Sequence, residues 1–300
     1  MNPSLEGYAT AIFEGADRAT LADELAAVER FVEGSEELRS ALTDTGLLRA
    51  SRRAALSELL EGRVSDEARR LASFAVSAVR APDVLAALKW VAHRARSGAG
   101  EQLTLLGHQA ARQRIGGYAA ALFESMGASD LEEAEDQLFR FARVVEANPP
   151  LRAVLTDREL PIPVRQGVVD DLLSGKVEPA SLRLVHFVVA GGRPRDFVGA
   201  LDWLVERTAE ARGWRVAHVR TSETITDPQR EAMGTALARL VGVPVELQVT
   251  IDPDLLSGAI VEVGDLRVDA SARGRLERLR EELVPAFPGA ERERRGTGEP

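Results

Sequence analysis

The chain has 300 residues, 45% hydrophobic and 28% charged, with a net charge of −9. That length can hold about two or three domains with real cores, while the negative balance argues against a general nucleic-acid binder and against adhesion to an anionic membrane surface. The absence of cysteine excludes disulfides, thiolate catalysis and Cys-type zinc sites.

No apolar run approaches the ~20 residues that span a bilayer. The opening MNPSLEG lacks the basic and apolar regions of a signal peptide, so the chain is expected to stay in the cytoplasm, which leaves membership of a membrane complex through partners open. Aromatics make up 5%, and the abundance of Ala and Leu predicts helices packed through small and aliphatic side chains.

Residues 7–16 read GYATAIFEGA. Thr20 is placed to cap a helix with Leu21, Leu25, Val28 and Val32 on one face. Ser65 is placed to cap another through Leu71, Phe74 and Val79, and Pro82 opens one through Leu85, Leu88 and Trp90. Residues 97–100 (SGAG) then read as a flexible connection, followed by a helical stretch over 101–114.

The pattern then starts again. Residues 117–126 read GYAAALFESM, identical to 7–16 at six of ten positions. Three extra residues follow, after which Leu38 aligns with Leu151, Leu59-Leu60 with Leu172-Leu173, Phe74 with Phe187, and Trp90 with Trp203. A period above a hundred residues is a domain, not a solenoid repeat. Ser129 with Glu132 has the spacing of a capping box before Leu131, Leu138, Phe141 and Val145. Pro161 and Pro163 mark the start of a helix through Val168, Val169 and Leu172, and Pro194 opens one through Phe197, Leu201, Trp203 and Leu204. The expectation is two tandem six-helix bundles, over residues 1–100 and 101–212, with few contacts crossing the linker.

From Trp214 the period changes. Residues 214–221 read as a strand, and Thr226-Asp227-Pro228 starts a helix with Met233, Ala236, Leu237, Leu240 and Val241 on one face. Val245, Leu247, Val249 and Ile251 alternate with polar residues as in a half-buried strand. Gly264-Asp265 suits a two-residue hairpin turn, which sets Val263 opposite Leu266, Glu262 opposite Arg267 and Val261 opposite Val268. Asp269 or Ser271 then caps a helix through Leu276, Leu279 and Leu283. Residues 213–284 are therefore expected to form a small strand–helix–strand–strand–helix unit, and 285–300 a disordered tail. The fold class is mainly α with a small α+β carboxyl-terminal domain.

Little here performs chemistry. His93, His108, His186 and His218 lack the paired spacing of metal ligands, and His186 within LVHFVV reads as a partly buried structural imidazole. Asp252 and Asp254 read as turn and cap chemistry before they read as a metal site. Trp90 and Trp203 read as bundle core, and the acidic run 129–137 as a solvated helix face with a basic docking partner as its functional alternative. No nucleophile, base and oxyanion site assembles, and no catalytic, cofactor or metal residue is assigned. Two other classes stay open on the residues alone: an unrelated helical adaptor whose α/β end binds nucleic acid, and an enzyme using Asp252 and Asp254 with a metal.

Two stretches resemble a known family. YAAALF at 118–123 opening a helical bundle is similar to the start of the delta subunit of bacterial F-type ATP synthases, a relative of the oligomycin-sensitivity-conferring protein. Residues 251–279 are similar to the family signature at Asp252, Leu255, Gly258, Val261, Gly264, Asp265, Asp269, Ser271, Leu276 and Leu279, departing at Ser257 and Ala270, where glycine is usual. The resemblance covers 115–283 as an ordinary delta subunit, and 8–96 as an added copy of its bundle, the long form associated with actinobacteria. It implies a non-catalytic stator subunit, without cofactors, at the cytoplasmic face of the plasma membrane. Its bundle would hold amino-terminal helices of alpha subunits in a groove between the first and fifth helices, near Tyr118, Leu122, Leu184 and Phe187, and its carboxyl-terminal domain would hold b-type peripheral-stalk helices. Small residues such as Ala119, Ala120 and Ala121 would let the partner helix approach closely.

Overall fold

Asn2 begins the first helix by accepting from the Ser4 and Leu5 amides at 2.9 and 3.2 Å, with Pro3 in the first helical position. The computed structural model describes residues 2–97, 107–157, 159–191, 197–253, 255, 258–263 and 266–269. The first copy of the repeat runs α1 (Pro3–Gly15), α2 (Arg18–Gly34), α3 (Glu36–Thr43), α4 (Arg49–Leu60), α5 (Asp66–Ala78), a 3-10 turn at Ala81–Asp83 and α6 (Val84–Ser97). The second runs α7 (His108–Phe123), α8 (Ala128–Ala147), α9 (Pro149–Thr156), α10 (Ile162–Leu173), α11 (Pro179–Gly191) and α12 (Phe197–Ala211).

Side-chain caps fix several of these starts, though not always through the residue the sequence pattern favours. Ser65 caps α5, as its position predicts. For α2 the cap is Asp17 instead of Thr20: its carboxylate accepts from the Thr20 amide at 3.2 Å and from the Thr20 hydroxyl, because a carboxylate one turn earlier outcompetes a hydroxyl for the free amides. The Ser129–Glu132 box does not form either. Asp130 reaches back to the Gly127 amide at 3.1 Å, so α8 starts two residues earlier.

Equivalent positions perform equivalent tasks in the two copies. Arg52 on α4 and Arg165 on α10 are both buried. Arg52 donates to the Leu42 and Val79 carbonyls (both 3.4 Å), and Arg165 to those of Leu155 and Val189 (3.4 and 3.1 Å). Each guanidinium thus satisfies carbonyls that two helix ends leave open. Glu24 accepts from the Ser65 amide at 2.9 Å, and its counterpart Gln137 accepts from the Glu178 amide at the same distance.

The copies meet through α1 and α7. Gly7 lies so close to α7 that a Cβ there would sit 1.8 Å from the Arg114 carbonyl oxygen. Gly117 lies just as close to α1, at 1.8 Å from the Ser4 carbonyl oxygen. Positions rising from 4 to 7 on α1 meet positions falling from 117 to 114 on α7, so the helices run antiparallel. Ser4 corresponds to Arg114 and Gly7 to Gly117, so this is one contact made twice about a local two-fold axis. Only glycine lets two backbones come this near.

The chain divides into two compact units, residues 1–208 and 209–300. The linker at 97–100 therefore does not separate two independent bundles, and the expectation of few contacts between copies is overturned by the α1–α7 crossing. In the second unit, β1 (Arg215–Thr221), α13 (Asp227–Val241), β2 (Val245–Ile251), β3 (Ala259–Val263) and β4 (Leu266–Asp269) form a sheet ordered β2-β1-β3-β4. β1 and β2 pair in parallel, and the others antiparallel. Thr226 caps α13 with Gln229 reaching back to its amide at 2.8 Å, and Gly242 ends the helix at φ 78. Met233, Leu237 and Val241 pack against Ala217, Val219, Val245, Leu247, Val261 and Val263.

The hairpin register agrees with the derived one: Val263 pairs with Leu266, Glu262 with Arg267 (3.4 Å between charged atoms) and Val261 with Val268. Among the described residues the unit carries four strands instead of the three expected, because β1, β2 and both hairpin arms join one sheet. Gln248, expected on a polar face, is 8% exposed. The helix and tail expected after Asp269 lie outside the described residues.

Gly7→Ala or Gly117→Ala must push the helices apart and should cost about 1–3 kcal/mol or more by urea unfolding. Gly167→Ala, in open space on α10, should be neutral or stabilise by up to about 1 kcal/mol. A chain lacking residues 1–100 leaves the α7 crossing face bare and should aggregate or melt without cooperativity; a monomer with a sharp melt would show α1 to be dispensable.

Candidate functional site

The residues singled out in the second copy come together, but inside the molecule. Tyr118 and Leu122 on α7 are 1% and 6% exposed, and Leu184 and Phe187 on α11 are 0% and 6%. Tyr118 stacks on Phe187 with centroids 3.9 Å apart and planes 12° from parallel. Tyr8 stacks on Phe74 in the same way in the first copy, at 3.9 Å and 10°. What lies over Tyr118 is α1. The expected open groove between first and fifth helices is, in this structure, filled by the first helix of the other copy. Closest approach is made by Gly117, not by the alanines, of which Ala119 and Ala121 are buried.

Polar groups fasten this arrangement reciprocally. The Tyr118 hydroxyl donates to Glu14 Oε2 at 2.5 Å, and Arg183 on α11 donates to the same oxygen at 2.9 Å and to the Ala11 carbonyl at 3.0 Å. In mirror fashion the Tyr8 hydroxyl donates to Glu124 Oε2 at 2.6 Å, and Arg70 on α5 donates to Glu124 at 3.3 Å and to the Ala121 carbonyl. Arg53 adds a further bond to Glu124 Oε1 at 2.5 Å. Glu14 matches Glu124, Ala11 matches Ala121, and Arg70 matches Arg183 in the repeat. Burial, reinforced by the neighbouring carboxylate, pushes both phenols well above the usual tyrosine range, so each stays a protonated donor.

The other singled-out residues divide differently. His186 is half-buried with Nε2 3.0 Å from Asp170 Oδ1, in keeping with a structural imidazole. Trp90 and Trp203 are half-buried instead of core; Trp203 lies over Gly116 with Arg112 and Arg207 at its ring, 6.0 and 5.8 Å from the centroid. The acidic run is not a wholly solvated face, since Glu135 is 1% and Gln137 8% exposed. No cluster of three or more His, Asp or Glu able to hold a metal occurs among the described residues.

In the carboxyl-terminal motif, Asp252 pairs with Arg220 at 3.3 Å, its amide donates to the Thr221 carbonyl at 2.8 Å, and its carbonyl accepts from the Leu255 amide at 3.1 Å. Gly258, at φ 89, takes a backbone conformation that favours glycine and leads into β3. These positions shape the turn from β2 to β3. Asp269 ends β4, while Gly264, Asp265, Ser271 and Asp254 lie outside the described residues. The latch residues Glu14, Arg70, Glu124 and Arg183 were missed by sequence reasoning. Their signal was present: Gly, Tyr and Glu are three of the six identities shared by 7–16 and 117–126.

The chain thus joins a helical unit of two interlocked copies to a small mixed sheet. A model of the ATP synthase delta (OSCP) subunit family matches residues 6–102 and 115–283. ATP synthase subunit delta of Nocardia farcinica is 37% identical over 268 residues, covering 89% of this chain and 90% of that protein. The subunit of the same name from a Parafrankia species is 34% identical over 282 residues, covering 92% and 93%. That of Salinispora arenicola is 32% identical over 266 residues, covering 89% of each. A chain in a cryo-EM structure of the Toxoplasma gondii mitochondrial ATP synthase hexamer is 19% identical, with a TM-score of 0.38 over 57% of this chain and 97% of that one; nothing below rests on it. The chain belongs to the ATP synthase delta (OSCP) subunit family, and is thereby a non-catalytic stator subunit of an F-type ATP synthase.

The latch can be tested by a double-mutant cycle. Glu14→Gln and Tyr118→Phe should each destabilise, and their combined effect should fall short of the sum by about 0.5–3 kcal/mol, since one hydrogen bond cannot be lost twice. Additive losses in urea unfolding would show that the pair does not interact in solution.

Proposed function

We propose that this subunit tethers the catalytic head to the peripheral stalk, with the helical unit on the head and the α/β unit on the stalk. The observation that carries this reading is the family match on both halves of the repeat and through the β3–β4 hairpin. The helical unit, two six-helix copies over residues 1–100 and 101–212, grips amino-terminal helices of alpha subunits. An amphipathic helix laid into a groove between bundle helices is a common recognition mode. Tyr118, Leu122, Leu184 and Phe187 are the proposed helix-contacting set, at the place where α1 now lies.

Residues 213–284, which carry the family-motif positions Asp252, Leu255, Gly258, Gly264, Asp265, Asp269 and Ser271, hold the b-type stalk subunits. Held at both ends, the subunit keeps the head from turning with the rotor. It works as a peripheral subunit at the cytoplasmic face of the bacterial plasma membrane. Among the described residues no helix is long and apolar enough to cross a membrane, which fits attachment through partners.

Val263→Pro tests the division of labour. It removes a ladder donor in β3, which lies between β1 and β4, and should break the hairpin. Capture of stalk subunits should fall at least tenfold while capture of the head persists. Equal loss of both would mean that the two units do not divide the partners in this way.

A further inference from the structure

The reciprocal latch also states what kind of helix this groove accepts. α1 presents to α7 and α11 a glycine at the crossing, Gly7, and seven residues later a carboxylate, Glu14, that takes the Tyr118 hydroxyl and Arg183. α7 presents the same pair to the first copy: Gly117 at the crossing and, seven residues later, Glu124 for Tyr8 and Arg70. The carbonyl of the residue three before each carboxylate, Ala11 or Ala121, accepts from the same arginine. A seven-residue spacing is about two helical turns, which keeps both features on one face.

We propose that each groove recognises an amphipathic helix bearing a glycine followed seven residues later by a carboxylate, and that α1 and α7 are built-in occupants that such a partner helix must displace. This rests on the reading that the grooves serve a partner helix, and it adds what that helix must carry. The glycine is selected because any Cβ, alanine's included, would sit 1.8 Å from a backbone carbonyl oxygen. The carboxylate is selected because, without it, a buried phenol and an arginine lose their shared acceptor. The tethered helices compete at high effective concentration, so the chain holds itself closed until a partner with the same features is abundant or itself tethered nearby.

The probe is a labelled peptide of this chain's own residues 2–17, NPSLEGYATAIFEGAD, titrated into the full chain and followed by fluorescence anisotropy. It should bind the unmodified chain weakly and a Gly7→Leu chain, whose own α1 no longer fits, at least tenfold more tightly. A peptide carrying Glu14→Gln should bind that chain about tenfold to a hundredfold less tightly, the range expected for losing a charge-assisted hydrogen bond. Since the chain has no cysteine, an Arg53→Cys, Glu124→Cys pair can be joined by a short bis-maleimide, each thiol adding across one maleimide double bond to form a thioether. That link pins the copies together while leaving Gly7, Glu14, Tyr118 and Arg183 intact, and peptide binding should vanish on linking. Equal binding by the Glu14→Gln peptide, or no binding to a folded Gly7→Leu chain, overturns the proposal. Should Gly7→Leu melt without cooperativity, the linked chain decides: binding that is absent before linking, or unchanged by it, overturns the proposal. Capture of the head by the unmodified chain is a separate readout, so a failed recognition rule stays distinguishable from a failed stator reading.

Discussion

The contact on which the helical unit depends is the backbone-to-backbone crossing of α1 and α7. Two helices normally keep about 8–10 Å between axes because side chains stand between them. Here glycine at both crossing points removes that spacer, and the carbonyls of Ser4 and Arg114 lie against the bare α-carbons. This proximity brings Tyr8 within reach of Glu124 and Tyr118 within reach of Glu14, and lets Arg70 and Arg183 span from the fifth helix of one copy to the first helix of the other. A wider crossing would leave buried phenols and arginines without acceptors. The burial of Tyr8, Tyr118 and Phe187 follows from the same fit.

Much of the local structure was legible, for local reasons. Helices announced themselves through caps and prolines such as Ser65, Pro82 and Pro161, and the β3–β4 register followed from a two-residue turn plus alternation. Each is a matter of neighbours within a few positions. Cap choice was less certain where several polar residues crowd one start. Asp17 and Thr20 both qualify for α2, and Gly127 succeeds at α8 only because Asp130 is placed to reach back.

What was not legible is what spans copies. Residues 7–16 and 117–126 carry the same pattern, and amphipathic patterning shows that a face is covered without saying by what. An outside helix and the sister helix leave the same trace in sequence. The buried Glu135 and Gln137 show the same limit: an acidic run reads as solvated until another element, here the start of α11 at Glu178, is laid over part of it. Arg52 and Arg165 look like surface arginines in sequence, and only the fold shows them bridging helix ends.

The Gly7–Arg114 contact also sets an order of events on the ribosome. Its two sides are 107 positions apart (114 − 7), whereas the Arg52 contacts close loops of 10 and 27 residues. Short loops close at smaller entropic cost, so the first copy can assemble while the second is still being made. At about 5–20 residues per second, the roughly two dozen residues from the end of α6 to the end of α7 take one to a few seconds to add. For that interval a finished first copy has no α7 to cover α1. The nascent chain therefore passes through a stage with an uncovered helix face, and the speed at which α7 follows sets how long that face is open to other chains.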